Sequence, residues 1–379
     1  MRFSLVGPVY PFRGGIAHYT ARLCQALAER GHAWRLFSFT RLYPRRLFPG
    51  ATDRDTSQVG LTVPATYTLD TLNPLTWWAT AAAVRAEQPQ VVVLQWWVPF
   101  LAPVWAALAQ WTRGEGRRVV FVCHNVLPHE RRAWDTGLAR LALGPADGFV
   151  VQSQGEAEQL RRLRPGRPLA VVPHPVYDVL AQQPADRAQA RQKLGLPEAA
   201  PVLLFFGFVR AYKGLAVLLE ALPAIRAQLR QARLLVVGEF WHDKPAYLDQ
   251  ITRLGLTDCV TLVDRYVPNE ALPEYFAAGD VVVLPYTHAT QSGVVQLAYG
   301  FGRPVITTRV GGLPEAVREG ETGLLVAPDD PAALAEAVVR FFRDGLAEPL
   351  TAGVRAHAGN PRWDALVDAL EQLAGPASG

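Results

Sequence analysis

The chain of 379 residues contains little cysteine and little lysine, and it has no long apolar run. Its three cysteines, Cys24, Cys123 and Cys259, lie far apart and cannot all pair, which excludes a small disulfide-stapled scaffold and favours a reducing compartment. No uncharged apolar stretch reaches the roughly 18 residues typical of a membrane helix without prolines or glutamines. The nearest, residues 91–111, is predicted to be a buried strand followed by a helix. The run after Met1 is too short for a signal peptide, so a cytoplasmic location is expected.

The charge is distributed unevenly. Residues 1–175 contain 20 arginines, no lysine and 11 acids, a balance of +9, so the net charge of +4 leaves −5 for the remainder. A basic half suits an anionic membrane face, a phosphorylated substrate or nucleic acid. No nucleic-acid recognition motif accompanies the arginines, so nucleic acid is not an expected partner. Trp77, Trp78, Trp96 and Trp97 favour a membrane interface, although the last two also fit the end of a buried strand.

Short apolar runs alternate with longer helical patterns throughout. Runs without strict polar alternation are typical of strands buried on both faces of a parallel sheet. The strands predicted in the first half span residues 3–6, 34–39, 91–94, 119–123, 148–151 and 169–172. Those predicted in the second half span residues 202–206, 234–237, 260–263, 281–284 and 305–307. This alternation predicts a doubly wound α/β architecture in each half.

A stiff segment, Pro173-His174-Pro175, separates the two halves. Two prolines stop a strand and stiffen the connection that follows. We therefore expect an N-terminal domain over residues 1–173 and a C-terminal domain over residues 174–360. The helical pattern within residues 361–379 predicts a terminal helix.

Two glycines stand where the first strand meets the first helix. Gly14 and Gly15 precede the helical pattern of residues 16–30, and glycines at a helix start let backbone N–H groups approach an anion closely. The helix dipole favours negative charge at the same place. A plain turn is the alternative, because a glycine pair alone is a weak signal.

A basic loop, residues 207–214, joins the strand at 202–206 to the next helix and contains Arg210 and Lys213. Ligands of α/β sheets bind outside the carboxyl ends of the strands. A guanidinium fork beside a point charge suits a diphosphate. The alternative is a solvated loop.

His124 ends another predicted strand, in Cys123-His124-Asn125. This is a position typical of a site residue, with a structural histidine as the alternative. A metal site shared with His129 would have only one local thiolate, so no metal is expected. The Asp-x-Asp letters at residues 53–55 lie in a polar loop outside any predicted strand end.

A third loop region lies between residues 285 and 315. Ser292 is predicted to cap a short helix at 294–299, so that the N–H groups of Gly293 and Val294 face a ligand phosphate. Glu315 belongs to a second Gly-Gly segment, residues 311–315, that opens another helix.

In this order and spacing, these elements resemble the nucleotide-sugar-dependent glycosyltransferases of the GT-B fold, in particular the large retaining family called group 1, or family four. The resemblance covers roughly residues 3–345. The matching pieces are Gly14-Gly15-Ile16, His124-Asn125, Pro173-His174-Pro175, Tyr212-Lys213-Gly214, Gly238-Glu239, Pro285-Tyr286, Gly302-Arg303-Pro304-Val305-Ile306, Gly311-Gly312-Leu313-Pro314-Glu315 and Thr322-Gly323-Leu324-Leu325-Val326.

The resemblance implies two Rossmann-like domains facing across a cleft, with a nucleotide-diphosphate sugar as co-substrate and no resident cofactor. It implies that Arg210 and Lys213 hold the diphosphate and that Gly15 lies against the phosphate from the other side. His124 would contact the donor sugar near the reacting carbon. The acceptor, a glycan or a polyprenyl- or other lipid-linked glycan, would bind the N-terminal domain, and the terminal helix would pack back on that domain.

The resemblance also assigns a nucleobase and ribose region after two strands of the C-terminal domain. Its residues would be Glu239, Arg265, Tyr266 and Val267. Glu315 is a further candidate for ribose or phosphate-loop support.

Two departures from the family pattern stand out. The usual pair of glutamates is missing, because residues 289–297 contain no acid. Gln291, Ser292 and Gly293 stand in the place of the glutamate that contacts the donor sugar. The arginine usual after the first glycine is replaced by Phe208, and Arg210 follows two positions later.

The resemblance thus predicts a metal-independent glycosyltransferase that retains the anomeric configuration and acts in cell-surface polysaccharide or lipopolysaccharide synthesis. The basic, tryptophan-containing half adds an anionic membrane surface as a partner. Two alternatives stay open, a catalytically silent glycosyltransferase-like binding partner and a nucleotide-sugar 2-epimerase.

Overall fold

The computed structural model describes residues 1–44, 50, 52–58, 61–114, 116–128, 132–177, 180, 185–241, 243–358 and 363–375. The chain divides into two compact units. Unit 1 comprises residues 1–56, 60–173 and 362–379, and unit 2 comprises residues 57–59 and 174–361.

The described part of unit 1 is a parallel sheet flanked by helices. Its strands are β1 (Arg2–Val6), β2 (Ala33–Arg41), β3 (Thr66–Asp70), β4 (Val91–Trp96), β5 (Arg118–Cys123), β6 (Gly148–Val151) and β7 (Leu169–Val171). Its helices begin with α1 (Gly15–Glu29), α2 (Pro74–Ala86), α3 (Ala102–Thr112), α4 (Asp135–Leu143) and α5 (Gln154–Leu163). The strand order is β3-β2-β1-β4-β5-β6-β7, and every side chain of β4 is buried.

Unit 2 repeats this plan. Its strands are β8 (Val202–Phe206), β9 (Arg233–Val237), β10 (Val260–Val263), β11 (Val281–Leu284), β12 (Val305–Thr308) and β13 (Gly323–Val326), in the parallel order β10-β9-β8-β11-β12-β13. Its helices are α6 (Arg187–Lys193), α7 (Leu215–Gln228), α8 (Lys244–Arg253), α9 (Leu272–Ala278), α10 (Gly293–Gly300), α11 (Leu313–Ala316), α12 (Pro331–Arg343) and α13 (Ala347–Ala358).

The terminal helix, α14 (Trp363–Ala374), belongs to unit 1 and packs against α1. The Trp363 ring lies 5.1 Å from the Tyr19 ring, and the Arg22 guanidinium lies 5.4 Å from the centre of the same indole. His32 and Glu371 are joined at 2.6 Å. The contacts combine apolar burial, a cation–π contact and a side-chain hydrogen bond.

The predicted doubly wound parallel fold is confirmed in both units. The apolar pattern did not predict β3, because it is an edge strand whose side chains are mostly exposed or half-buried. It also missed α2, whose alanine-rich sequence has no clear apolar face, and β13, a four-residue edge strand that begins with glycine. The three cysteines are buried and form no disulfide. No helix among the described residues is long and apolar enough to cross a membrane.

Candidate functional site

In each unit the strand order reverses beside the first strand of its sheet, between β1 and β4 in unit 1 and between β8 and β11 in unit 2. At such a reversal the connections leave the sheet in opposite directions, which opens a ligand-binding crevice at the carboxyl ends of the strands. The candidate residues of unit 2 lie in loops that follow its strands, and those of unit 1 follow β1 and β5.

The basic loop of unit 2 folds into a tight turn. Residues 211–213 form one turn of 3-10 helix, and Gly214 then adopts φ +72° before α7 begins. A Cβ at Gly214 would lie 1.8 Å from the carbonyl oxygen of Pro285, so both the positive φ and the close approach require glycine. Gly214 thereby holds the loop against the end of β11.

The side chain of Lys213 is 8% exposed and points back under its own loop. Its Nζ lies 5.9 Å from the centre of the Tyr286 ring and 3.0 Å from the position a Cβ on Gly207 would take. Burial, with a smaller contribution from the charge of Arg210, lowers the pKa of Lys213 to about 7. An anion placed here would restore the full charge of the ammonium, which makes this an electrostatic site prepared for a negative ligand.

Arg210 is held by aromatic rings. Its guanidinium carbon lies 3.9 Å from the centre of the Trp241 ring and 5.2 Å from that of Tyr212. Such stacking keeps a planar guanidinium in place, and a guanidinium binds an oxyanion through the N–H groups at its edge. The structure therefore brings Arg210 and Lys213 together on one turn, as the sequence predicted.

The loop after β9 touches the loop after β8. A Cβ on Gly238 would lie 2.1 Å from the carbonyl oxygen of Gly207, and Val209 donates from its backbone N–H to the carbonyl of Glu239 at 2.9 Å. This contact brings half-buried Glu239 next to the basic loop.

The predicted base-binding residues after β10 lie further along the same edge. Arg265 is exposed and hydrogen-bonds to the Tyr275 hydroxyl at 3.3 Å, Tyr266 is half-buried and Val267 is buried. The loops after β9 and β10 are linked because Phe240 donates to Asp264 at 2.9 Å.

The helix after β11 begins one residue earlier than predicted, at Gly293. Ser292 occupies the predicted cap position, but its side chain makes no capping hydrogen bond, and its hydroxyl lies 3.3 Å from the Tyr286 hydroxyl. Val294 packs near Gly207, with 3.4 Å between its Cγ2 and a Cβ built there. The start of α10 thus lies beside the Lys213 loop, with Gln291 half-buried before it.

Glu315 is exposed and lies on the short helix α11, which follows a Gly-Gly segment in contact with the residues before Gln291. Gly312 donates to the carbonyl of Thr290 at 2.9 Å, and a Cβ on Gly311 would lie 1.6 Å from the carbonyl oxygen of Ala289.

In unit 1, Gly14 and Gly15 form the start of α1 as predicted. Gly14 has φ +110° and no side chain crowds it, and its carbonyl accepts the first hydrogen bonds of the helix from Ala17 and His18. The N–H groups at the start of a helix can bind an anion, and a glycine there lets the anion approach closely.

His124 follows β5 and is 5% exposed. Its backbone N–H donates to Trp96 at 2.8 Å, its Nε2 lies 2.7 Å from Oε1 of Gln95, and its ring packs edge-on against Tyr19 at 4.7 Å. The backbone of His124 is therefore held by β4, and its imidazole is held by Gln95 and Tyr19 within unit 1.

Several of these supporting residues were not found by sequence reasoning. They are Trp241, Gln95, Tyr19 and Thr20, whose hydroxyl accepts a hydrogen bond from the Gln95 amide at 2.6 Å, and only their contacts in the structure reveal them. One signal was present: Gln95 is the polar interruption of an otherwise apolar buried strand, Val91–Trp96. A polar side chain there needs a partner, which its sequence position alone does not identify.

Within the described ranges, no three His, Cys, Asp or Glu side chains come together as a possible metal site. His129 lies outside the described residues. Asp55 is buried and lies 3.7 Å from His18, and the backbone carbonyl of Asp53 accepts a hydrogen bond from Arg13. Asp53 and Asp55 thus make contacts that support the segment before α1 and the start of that helix.

The four tryptophans divide between core and surface. Trp96 is fully buried in the unit 1 core, which makes a membrane contact for it wrong. Trp97 donates to the Tyr43 hydroxyl at 2.8 Å and Trp77 to the carbonyl of Asp70 at 2.8 Å, and both are half-buried. Trp78 is 60% exposed.

Two family models match the chain. The one described as "Glycosyltransferase Family 4" matches residues 13–180, and the one described as "Glycosyl transferases group 1" matches residues 200–344. A D-inositol 3-phosphate glycosyltransferase of Acidothermus cellulolyticus is 32% identical over 94% of this chain and 84% of its own length.

Solved structures of similar fold cover nearly the whole chain. Sucrose-phosphate synthase from Thermosynechococcus elongatus superposes with a TM-score of 0.74 at 25% identity, over 98% of both chains. Anabaena HepE in complex with UDP-glucose superposes with a TM-score of 0.73 at 21% identity, over 99% of this chain and 98% of that one. The chain belongs to the group 1, family 4 glycosyltransferases and has their GT-B fold.

Proposed function

We propose that this glycosyltransferase moves a sugar from a nucleotide-diphosphate donor to an acceptor hydroxyl with retention of configuration and without a metal ion. The observation that carries the proposal is the buried Lys213 beside the ring-stacked Arg210 at the carboxyl end of β8. A buried ammonium is unfavourable unless an anion pairs with it. The diphosphate of a sugar nucleotide supplies such an anion.

The same cations answer the main physical demand of the reaction. When the bond between the anomeric carbon and the phosphate oxygen breaks, negative charge grows on the leaving nucleoside diphosphate. Preorganised positive groups stabilise that charge most strongly where water is largely excluded. Lys213 and Arg210 would supply the stabilisation that a divalent cation supplies elsewhere.

The bond changes follow a front-face route. The acceptor hydroxyl attacks the anomeric carbon from the side the leaving group departs, and the acceptor proton passes to the leaving phosphate oxygen. A new glycosidic bond replaces the sugar–phosphate bond, and no carboxylate is needed as a base. The acid-free stretch at residues 289–297 agrees with this route.

We assign the remaining residues as the family resemblance implies. His124 contacts the donor sugar near the reacting carbon, and Gly14 and Gly15 accept a phosphate at the start of α1. Glu239 and residues 265–267 hold the ribose and base. The segment Gln291–Val294 takes the place of the family glutamate beside the sugar, and Glu315 supports the ribose or the phosphate loop.

The acceptor has two candidates. A glycan or lipid-linked glycan of the cell surface, including lipopolysaccharide, fits the basic half of the sequence and an exposed apolar patch described next. An inositol phosphate or similar polyol phosphate is favoured by the name of the 32% identical relative. An acceptor panel containing both classes, read by product mass, decides between them.

An exposed apolar patch on unit 1 supports a peripheral membrane location at the cytoplasmic leaflet. Leu72, Leu75 and Trp78 lie at and near the start of α2 and are 50%, 79% and 60% exposed. Their spacing of three residues places the last two on one side of a helix. Exposed apolar side chains in a strongly basic half suit an anionic bilayer surface.

Release of nucleoside diphosphate across a panel of nucleotide sugars tests the main proposal, with UDP-glucose as the first probe. We expect release that depends on an acceptor, persists in EDTA, and gives a product whose anomeric proton signal matches the donor configuration. Inversion of the anomeric configuration contradicts the retaining mechanism. Loss of activity in EDTA that Mg²⁺ restores contradicts catalysis without a metal ion. Epimerised free sugar would favour the 2-epimerase alternative, and donor binding without turnover would favour the silent partner.

Vesicle flotation tests the membrane patch. Wild-type protein should float with vesicles containing anionic lipid and less with neutral ones, and the double variant Leu75→Ser/Trp78→Ser should lose most of that binding. Leu248→Ser, at a 42% exposed leucine of unit 2, is the matched control. Equal flotation with both lipid types contradicts the proposed location.

A further inference from the structure

A chain of side-chain hydrogen bonds connects His124 to the start of α1 within unit 1. Nε2 of His124 lies 2.7 Å from Oε1 of Gln95, and Nε2 of Gln95 lies 2.6 Å from Oγ1 of Thr20. The Thr20 hydroxyl in turn donates to the backbone carbonyl of Ile16 at 2.8 Å, in the first turns of α1. Three elements, β5, β4 and α1, are joined by these bonds.

The chain has a defined direction. Because the Thr20 hydroxyl gives its hydrogen to the Ile16 carbonyl, its oxygen accepts from the amide nitrogen of Gln95. The amide oxygen of Gln95 then faces His124, and a carbonyl oxygen can only accept. His124 must therefore carry a hydrogen on Nε2, which leaves Nδ1 as the ring nitrogen that accepts a hydrogen bond when the imidazole is neutral.

The packing leaves this chain little freedom. Gln95 and Thr20 are fully buried, and the Gln95 amide lies against Gly7, where a Cβ would come within 3.0 Å of Nε2 and 3.2 Å of the Thr20 hydroxyl. The absence of a side chain at Gly7 makes room for both groups. On the ring side, Tyr19 packs perpendicular to the imidazole at an angle of 89°.

We propose that Gln95 is a positioning residue for glycosyl transfer, which sets the tautomer and the orientation of the His124 imidazole and is itself set by Thr20. This inference rests on the proposed function, in which His124 contacts the donor sugar. The imidazole is thus presented to the sugar with one defined face and one defined protonation pattern. This role accounts for the presence of Gln95, a buried polar residue, in a strand that otherwise contains only valine, leucine and tryptophan.

The alternative is that Gln95 only fills the core. An apolar side chain of similar volume would then support turnover equally well, although the variant would be less stable because the buried Nε2–H of His124 loses its acceptor. The two ideas differ in what Gln95→Leu does to turnover, to donor binding and to the protonation of His124.

The kinetic experiment uses the full-length chain with a donor it turns over. Gln95→Leu should lower kcat by about tenfold to a hundredfold, with the KM for the donor within about threefold, since groups that orient a functional imidazole act at this scale. Gln95→Glu keeps an acceptor facing Nε2 and should recover part of the rate. Thr20→Val should lower kcat by about threefold to tenfold because the amide loses the partner that orients it.

Thr112→Val is the matched control for Thr20→Val. The Thr112 hydroxyl is likewise buried and donates to the carbonyl four residues earlier, Leu108, but it lies on α3 and contacts no part of the chain of hydrogen bonds. Thermal unfolding of each variant shows whether it remains folded, and Thr20→Val serves if Gln95→Leu does not fold.

A second measurement does not depend on activity. Long-range ¹H–¹⁵N correlation spectra of the histidine-labelled protein, with His124 assigned by its loss in His124→Asn, report which ring nitrogen carries the hydrogen. We expect Nε2–H in the wild type and a changed pattern in Thr20→Val but not in Thr112→Val.

Nδ1–H in the wild type, or a kcat for Gln95→Leu within about twofold of wild type, overturns the inference. If no nucleotide sugar is turned over by the wild type, the proposed function fails. The spectra still decide whether Gln95 and Thr20 set the protonation of His124.

Discussion

The two units share one strand order around their first strand, yet the loops at their strand ends hold opposite kinds of chemistry. Unit 2 presents two cations, Lys213 buried beneath its loop and Arg210 stacked on Trp241. Unit 1 presents an imidazole held by a glutamine and a threonine through hydrogen bonds. The same scaffold thus supports a site in unit 2 that offers positive charge to an anion and a site in unit 1 that fixes the orientation of an imidazole.

The difference teaches how each site is stabilised. In unit 1, the chain of hydrogen bonds from His124 through Gln95 to Thr20, here called the relay, pairs its polar groups with one another. It is therefore stable before any ligand binds. The ammonium of unit 2 is poorly compensated, because burial and the like charge of Arg210 both lower the pKa of Lys213. The scaffold determines where the loops meet, and the loop residues determine whether the site already satisfies itself or needs an anion.

The largest expected effect comes from removing the buried charge. Lys213→Met should lower kcat/KM by about a hundredfold to a thousandfold, because one preorganised charge at a developing anion stabilises the transition state by about 3 to 4 kcal/mol. Steady-state kinetics with a nucleotide sugar measure the loss. Lys193→Met, at an exposed lysine paired with Glu274, is the matched control and should be near wild type.

The same variant should be more stable than the wild type without ligand. Burial lowers the pKa of Lys213 from 10.5 to about 7, so the ammonium disfavours the folded state fully below pH 7 and less as the pH rises through that value. The melting temperature of Lys213→Met should therefore exceed that of wild type by a few degrees at pH 6, and by less at pH 9. Lower stability at both pH values would contradict a strained ammonium.

The next largest effect is a pH dependence of donor binding that arises from Lys213 in unit 2. The diphosphate favours charged Lys213, so affinity for a nucleotide sugar should be highest below pH 7 and fall by up to about tenfold per unit above it. Calorimetry in buffers of different ionisation enthalpy should show proton uptake near pH 7. A flat profile in wild type, or an unchanged slope in Lys213→Met, would show that another group controls binding.

A smaller effect is expected where an aromatic ring supports a cation. Trp241→Leu removes the surface 3.9 Å from the Arg210 guanidinium and should weaken nucleotide-sugar binding by about threefold to thirtyfold, the range of a cation–π contact. Titration calorimetry measures it, with Trp111→Leu in unit 1 as the control. Unaltered affinity would mean that Arg210 is held in place without Trp241.

The smallest effect tests the crowding in unit 1. Gly7→Ala places a methyl group within 3.0 Å of the Gln95 amide and 3.2 Å of the Thr20 hydroxyl, so the relay must shift by a few tenths of an ångström. We expect kcat to fall by about twofold to threefold, an effect of about 0.5 kcal/mol. Gly155→Ala, which meets nothing within 4 Å, is the control, and equal rates for both variants would show that the relay tolerates the shift.

Much of the fold could be predicted because a strand that is buried on both faces has a continuous run of apolar residues in the sequence. The apolar runs at residues 202–206 and 281–284 match β8 and β11 residue for residue. Where burial is partial the apolar pattern is weak, and for that reason β3 was not predicted. The cap of α10 was assigned to Ser292 by residue type, but Tyr286 competes for its hydroxyl.

Neighbouring residues in the chain are enough to predict two doubly wound units, the loops that carry the candidate residues and the position of Arg210 and Lys213 on one turn. The tertiary structure alone decided that Lys213 is buried against Tyr286, that Trp241 supports Arg210, that Trp96 lies in the core while Trp78 is exposed, and that Gln95 bonds to both Thr20 and His124. Those contacts join residues far apart in sequence, and only the pairing of strands and the packing of helices bring them within reach of one another.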